Sequence, residues 1–400
     1  MTALALVVWL MAEKGAGFAQ RGFVESRLSA FPQTAANDRG RGVAETVWRQ
    51  EASFESGVGW KFFAATEART DSHRQTARTW HWTADDRTLQ RPAFALRRLS
   101  AQYRKGWLTF EAGRQFIRWG KADLLNPTDR FAPRDFMNVV TNDFLGVTGA
   151  RLTLEKGANS LDAVWVPRFT PSRTPLLNQR WVSLPPGLAV SDLGARYPGG
   201  SQFGLRFNRV GRRYEAAVMA YEGRNHLPLI DGSLTRNGVG VTRVYPQLRL
   251  YGGDVAVPLR WFTVKSEAAW FTSKSARFDE FIQYVVQVER TAGEWLLVGG
   301  YAGEKVTTRR NVLDFAPDRG LARTFLGRAA YTFDAARSAA FEFAVRENGN
   351  GAYGKLEYTQ AVGAHWRVLA GYVMIRGDLA DFLGQYRRNS HLLVTIRYSY

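Results

Sequence analysis

A closed, all-β transmembrane barrel of antiparallel up-and-down strands, about 18 in number, is the fold this sequence predicts. Three observations carry it. Segments of roughly 10 residues alternate apolar and polar side chains with period two. Tight turns and long polar connections take turns between those segments. The longest uninterrupted apolar run, Ala3 to Ala12, has 10 residues, and a membrane-spanning helix needs about 20.

Composition agrees. The chain has 400 residues, of which 45% are hydrophobic and 22% charged, so intrinsic disorder is excluded. Trp, Tyr and Phe number 13, 15 and 25, an aromatic content suited to interfacial girdles. A mean hydropathy of −0.28 fits a wall in which every second residue faces water. There is no Cys, which rules out disulfides, thiolate metal sites and Cys nucleophiles. The net charge is +18, and 45 of the 54 basic residues are Arg. Nucleic-acid binding calls for clustered basic patches. Here the basic residues are scattered through alternating segments, so no nucleic acid is expected.

Residues 1–19 read as a signal peptide. An apolar stretch is followed by a polar spacer and by Gly17-Phe18-Ala19, which suits cleavage before Gln20. No Lys or Arg precedes the apolar run, a departure from the usual pattern. Residues 20–400 then form one domain, with no Gly/Pro/Ser linker to divide them.

Taken in order, the expected strands are 21–32, 42–55, 58–69, 92–104, 106–118, 146–156, 159–169, 201–209 and 212–222. They continue with 247–257, 260–273, 280–291, 293–305, 322–333, 338–347, 352–360, 364–376 and 390–400. Setting aside 42–55 and 247–257, which alternate poorly, would leave 16. Tight turns are expected at Ser56-Gly57, Lys105-Gly106, Gly157-Ala158, Gly211-Arg212, Pro258, Ala292-Gly293, Ala335-Ala336 and Gly363. The long connections fall at 33–41, 70–90, 119–146, 170–200, 223–246, 274–279, 306–321, 347–351 and 377–389. An even count puts both termini on the short-turn side. A soluble antiparallel sheet also alternates; connection length is what separates the two folds. In hydrocarbon every backbone N–H and C=O must be paired internally, and a closed sheet does this without leaving an edge.

The last segment alternates most cleanly. Leu392, Val394, Ile396, Tyr398 and Tyr400 share one face, and His391, Thr395, Arg397 and Ser399 the other, with Leu393 the exception. This ending resembles the C-terminal strand of Gram-negative outer-membrane proteins, although Phe is the commoner last residue. The resemblance implies an outer-membrane location and handling by the barrel-assembly machinery through residues 392–400. A second resemblance lies in the block from Gly113 to Phe136, with its Gly-Arg-Gln strand end and its Trp-Gly loop carrying Asn-Pro and Asp. It is similar to a segment of porin-like outer-membrane proteins, and alginate-export-type barrels are comparable in layout. This implies a channel or exporter.

Alternation turns Arg151, Arg206, Arg328, Arg346, Lys355, Arg367 and Arg397 towards the lumen, with Glu155, Glu289, Glu342 and Glu357 on the same faces. Rings of Arg or Lys favour anions in a confined passage. The alternative is that wall Arg and Glu pair across strands and merely fill the interior. The facing of Arg114 and Arg118 is ambiguous. In the 119–146 connection, Lys121, Asp123, Asn126, Asp129, Arg130, Arg134 and Asp135 are candidates for a constriction that folds into the lumen and opposes charges across it. Its Asp and Asn oxygens also admit a Ca²⁺ reading or plain turn chemistry, without EF-hand spacing. No metal site is expected.

Catalysis has little support. Asn389, Ser390 and His391 are consecutive on a strand and alternate faces, so they cannot converge as a triad. His73 with Asp71, or His81 with Asp85 and Asp86, are pairs that arise often in polar loops. The expected function is passive diffusion or export of small or oligomeric anionic solutes through a porin-like channel, with no cofactor. The second reading is a plugged or scaffold barrel of a secretion or polysaccharide-export assembly; an outer-membrane hydrolase comes last. Expected partners are outer-membrane lipid and lipopolysaccharide, the assembly machinery and a small anionic solute, with a homo-oligomer left open.

Overall fold

The computed structural model describes residues 17–79, 82–83, 85–183, 189–236, 238–310 and 319–400. Eighteen strands form one closed antiparallel wall. They are β1 (Gly17–Ala30), β2 (Gly42–Glu55), β3 (Trp60–Asp71), β4 (Phe94–Lys105), β5 (Leu108–Gln115) and β6 (Val147–Lys156). Then come β7 (Asn159–Val166), β8 (Gln202–Val210), β9 (Glu215–Arg224), β10 (Gln247–Pro258), β11 (Thr263–Thr272) and β12 (Glu280–Ala292). The wall ends with β13 (Trp295–Thr308), β14 (Thr324–Thr332), β15 (Arg337–Arg346), β16 (Gly351–Val362), β17 (Trp366–Gly377) and β18 (His391–Ser399). Each strand pairs with its neighbours in sequence, and β1 closes the ring on β18, with Phe23 opposite Ser399 and Ala30 opposite Leu392. Every expected strand overlaps an observed one, and the count is 18.

The strands that alternate poorly have physical reasons to do so. On β10 the inward residues Leu248 and Leu250 are apolar because they are buried under a loop inside the barrel. On β2 the outward positions include Ala44, Thr46, Gln50 and Ala52, while Glu45 and Arg49 point inward to ion pairs.

All eight short connections fall on one side, at the turns expected from sequence. Three of them, at Gly106, Gly157 and Gly293, need φ of +57° to +58°, which glycine adopts without a Cβ penalty. β1 begins at Gly17 and pairs it with Glu55, three residues ahead of the expected mature start at Gln20. The rest of the expected signal peptide lies outside the described residues. The connections opposite are mostly longer, and two of them together build structure that the polar composition did not announce. The segment Val190–Arg196 pairs in parallel with Gly238–Val244, which forms a hairpin with Leu229–Thr235.

The outer surface is apolar. Phe203, Leu205, Phe207, Val218, Leu356, Leu392, Val394 and Ile396 are all exposed outward. The buried apolar core lies inside the barrel. Trp119 and Phe131, from the 119–146 loop, pack on the inner faces of Val164, Met219, Tyr221, Leu250 and Phe271.

Candidate functional site

The 119–146 loop runs through the lumen, held by the far wall. Glu267 on β11 is its main anchor. One carboxylate oxygen accepts the N–H of Lys121 and Ala122 at 3.1 and 3.2 Å, and the other accepts the Thr128 N–H and hydroxyl at 2.8 and 2.6 Å. On β12, Gln287 accepts the Asp123 N–H at 2.9 Å and donates to the Asp123 carboxylate at 2.6 Å. Beneath the loop the wall is shaved down. A Cβ on inward-facing Gly204 would lie 2.5 Å from both Phe131 and Trp119.

The constriction candidates divide in two. Lys121 is spent on the wall, paired with Glu215 and 3.6 Å from Asp254. Asp123 faces Lys265 at 2.7 Å. The Asn126 amide donates back to the Ala122 carbonyl. Buried Asp129 accepts the Trp119 N–H at 3.1 Å and sits 3.4 Å from Arg118; burial raises its pKa against those contacts. Arg130 lies over the Phe271 ring, and Arg134 over Phe144. Asp135 is buried between Arg91 at 2.9 Å and Arg173 at 2.7 Å. Burial pushes its pKa up, but the two guanidiniums outweigh that and hold it well below the ordinary carboxylate value. Asp123 and Asp135 thus turn to different partners, Lys265 on β11 and the loop residues Arg91 and Arg173.

The loop separates two cavities. The first, about 250 Å³, lies against β1–β5. It is lined by Arg27, Arg49, Arg69, Arg91, Arg97, Arg114, Arg173 and Arg397 and by Glu25, Glu45, Glu67, Asp86, Asp135 and Asp143. Eight guanidiniums thus face six carboxylates. The pairs interlock. Arg49 bridges Glu67 at 2.6 Å and Asp143 at 2.7 Å, Arg69 bridges Glu45 and Glu67, and Asp86 takes both Arg114 and Arg173. Arg114 lines this cavity directly after Gly113, where φ is +119° and a Cβ would lie 2.3 Å from the Leu99 carbonyl. The second cavity, about 800 Å³, lies against β11–β17. Its charges balance: Arg130, Arg134, Lys265 and Arg328 against Asp123, Asp129, Glu289 and Glu342. Trp181, Tyr353, Phe382 and Tyr386 give it an aromatic rim.

The structure places the expected wall charges on the inner face, but most have a carboxylate partner that sequence reading did not name. Arg151 meets Asp162 at 2.6 Å, Arg206 meets Asp254 at 2.8 Å, and Arg346 meets Asp381 at 3.0 Å. Arg397 meets Glu25 at 2.5 Å. Arg328 and Lys355 share Glu342 at 2.6 and 3.1 Å, Lys355 also reaches Glu357 at 3.2 Å, and Glu289 takes Lys265 at 2.6 Å. Glu155 stands 3.8 Å from Arg104 at the short-turn end. Arg367 is in register with Arg397 and makes no ion pair among the described residues. The missed residues on β2 and β3, Glu45, Arg49, Glu67 and Arg69, sit at odd positions opposite Trp48 and Phe62, so period two could have found them. Asp86, Arg91 and Arg173 come from loops and carry no local signal.

Among the described residues the histidines do not form a catalytic set. The His73 ring contacts Asp38 at 2.8 Å, while Asp71 accepts the His73 backbone N–H. The Ser390 hydroxyl accepts the Ile375 N–H at 2.9 Å, and His391 Nδ1 lies 2.8 Å from the Asn389 backbone carbonyl, so the three side chains form no relay. His81 lies outside the described residues. His226 is buried between the Thr170 and Arg130 carbonyls at 2.5 and 2.7 Å. Desolvation lowers its pKa to about 4, so near neutral pH its single ring proton serves one of the two.

No protein-family model matches this sequence, and no curated protein sequence does. Solved structures do. OpdQ of Pseudomonas aeruginosa is 11% identical with a TM-score of 0.55, covering 97% of this chain and 99% of its own. A BenF-like porin from Pseudomonas fluorescens Pf-5 is 10% identical at 0.56, over 97% and 98%. OccAB4 of Acinetobacter baumannii is 8% identical at 0.56, over 97% and 99%. The shared property is the porin-like barrel fold, over 97% of this chain in each case.

Proposed function

We propose that this chain is a Gram-negative outer-membrane channel through which small anionic solutes diffuse passively, without cofactor or catalysis. The observation that carries this is the β1–β5 cavity, where eight arginines face six carboxylates. Packing ion pairs into a lumen is a poor way to gain stability, because desolvation offsets most of the attraction. A wall that keeps an excess of guanidinium around this cavity supplies bidentate anion donors instead. The wall charges expected from sequence would act with this cluster, Arg367 most directly, since no carboxylate among the described residues pairs with it. Secretion would begin with removal of residues 1–19. Insertion would rest on the assembly machinery reading the exposed Leu392, Val394 and Ile396.

In planar bilayers separating unequal KCl concentrations, the expected reversal potential has the sign of anion preference; cation preference would overturn the proposal. One observation favours the plugged-barrel reading: the 119–146 loop is packed into the lumen and anchored on Glu267. A barrel that changes mobility on boiling in SDS yet passes no current would decide for it.

A further inference from the structure

The outer wall carries charge at the long-loop edge of its apolar band. On β9 and β10 the last outward positions towards the long loops carry Glu222 and Arg249, in direct register, and then Arg224 and Gln247. Arg249 donates to Glu222 at 2.9 Å, and Gln247 reaches the same carboxylate oxygen at 3.2 Å. Arg249 Nε is buried and has no hydrogen-bond partner. Arg224, in register with Gln247, makes no ion pair among the described residues. The patch is therefore positive by one charge and has unused donors.

Its height is fixed by its neighbours. One outward position towards the short-turn side stand Tyr251 and Trp270, with rings 6.1 Å apart. Phe203 pairs with Glu222, and Trp165 pairs with Phe203. Such an aromatic band marks a membrane interface, and charge on a barrel's outer face costs least there. The patch lies on the long-loop side, which for periplasmic termini is the outer leaflet. Running from it along the wall is a groove of about 490 Å³. Ala150, Ala163 and Ala220 form its floor, and Phe110, Trp165 and Tyr251 stand beside it.

We propose that this groove seats an acyl chain of the phosphorylated glycolipid of the outer leaflet, with a headgroup phosphate on Arg249 and Arg224. This rests on the outer-membrane placement proposed above. Charge favours this occupant over a second copy, because a two-fold contact would set the same unneutralised guanidinium against itself. A phosphate takes the donors that Glu222 leaves free.

The test is native mass spectrometry of the whole barrel in detergent with lipid A, with phosphatidylglycerol and with inorganic phosphate. It compares the wild type, the double variant Arg224→Gln/Arg249→Gln, and Ala220→Leu, which fills the groove from the lipid side. The wild type should retain lipid A in preference to both other probes. Each variant should weaken that retention by roughly tenfold or more, with bilayer conductance unchanged. Equal retention of lipid A by all three conducting proteins would overturn the site alone. So would phosphate binding that depends on Arg249 without any lipid, or a dimer mass that Ala220→Leu abolishes. A chain that neither inserts nor shows a heat-modifiable band would overturn the placement as well.

Discussion

The folded-in loop makes the two sides of the lumen into different materials. Towards β6–β12 it buries Trp119 and Phe131 against Val164, Leu250 and Phe271, a packed apolar core of the kind that usually fills soluble domains. Towards β1–β5 the same loop presents Asp135 and Asp143 to a network of arginines around a cavity. Apolar contact fixes where the loop lies, and the charged side is then free to remain open. A barrel with the second side alone would have nothing but ion pairs to position its constriction, and such pairs contribute little net stability.

The comparison can be broken from the dry side first. Phe131 is 1% exposed and meets Trp119 and Tyr221 edge-on at 5.1 and 5.0 Å. Phe131→Ala should destabilise the packed loop by about 3–5 kcal/mol and raise single-channel conductance; an unchanged conductance would show that this core does not hold the loop. On the wet side, Asp135→Asn leaves Arg91 and Arg173 short of a buried carboxylate, at a cost of about 3 kcal/mol. It should also strengthen anion selectivity in the reversal potential. Its pH counterpart follows from the sign of the shift. Asp135 is held below its unfolded value of about 3.8, so its contribution is present above that pH and is lost as pH falls below it. Denaturant unfolding should therefore be insensitive to this group from pH 8 to about 4 and steepen only below, and the steepening should be reduced in Asp135→Asn.

Sharper distinctions need smaller perturbations. Glu267→Gln keeps the volume but removes the charge that four donors share, so about 1–3 kcal/mol should be lost and current noise should rise as the loop moves. Smallest of all, Arg328→Gln removes a half-exposed charge from the balanced cavity, where an exposed pair is worth about 0–1 kcal/mol. Selectivity should hardly change, whereas Arg49→Gln in the arginine-rich cavity should reduce it. Equal effects from the two would end the division into a selective and a neutral side.

The sequence made the wall legible because the signal is local. In β18 each side chain reports its face through its immediate neighbours, and Gly106, Gly157 and Gly293 mark turns that need a positive φ. The inward direction of Arg206 or Lys355 could be read the same way. Pairing of Lys355 with Glu342 is one of the alternatives the sequence leaves open, but the neutralisation of Arg206 could not be read, since Asp254 reaches it across strands from 48 residues away. Nor could the course of the 119–146 loop. Its anchors, Glu267 and Gln287, lie 139 and 164 residues further along the chain.

Period-two alternation, eight tight turns and a terminal aromatic strand settled the closed barrel and which residues look inward, because pleat geometry ties each side chain's direction to its place in the strand. Only the folded chain decided which inward charges stay unneutralised and that the lumen is divided. Charge balance and packing inside a barrel depend on contacts between strands and loops far apart in sequence, and no local pattern records those.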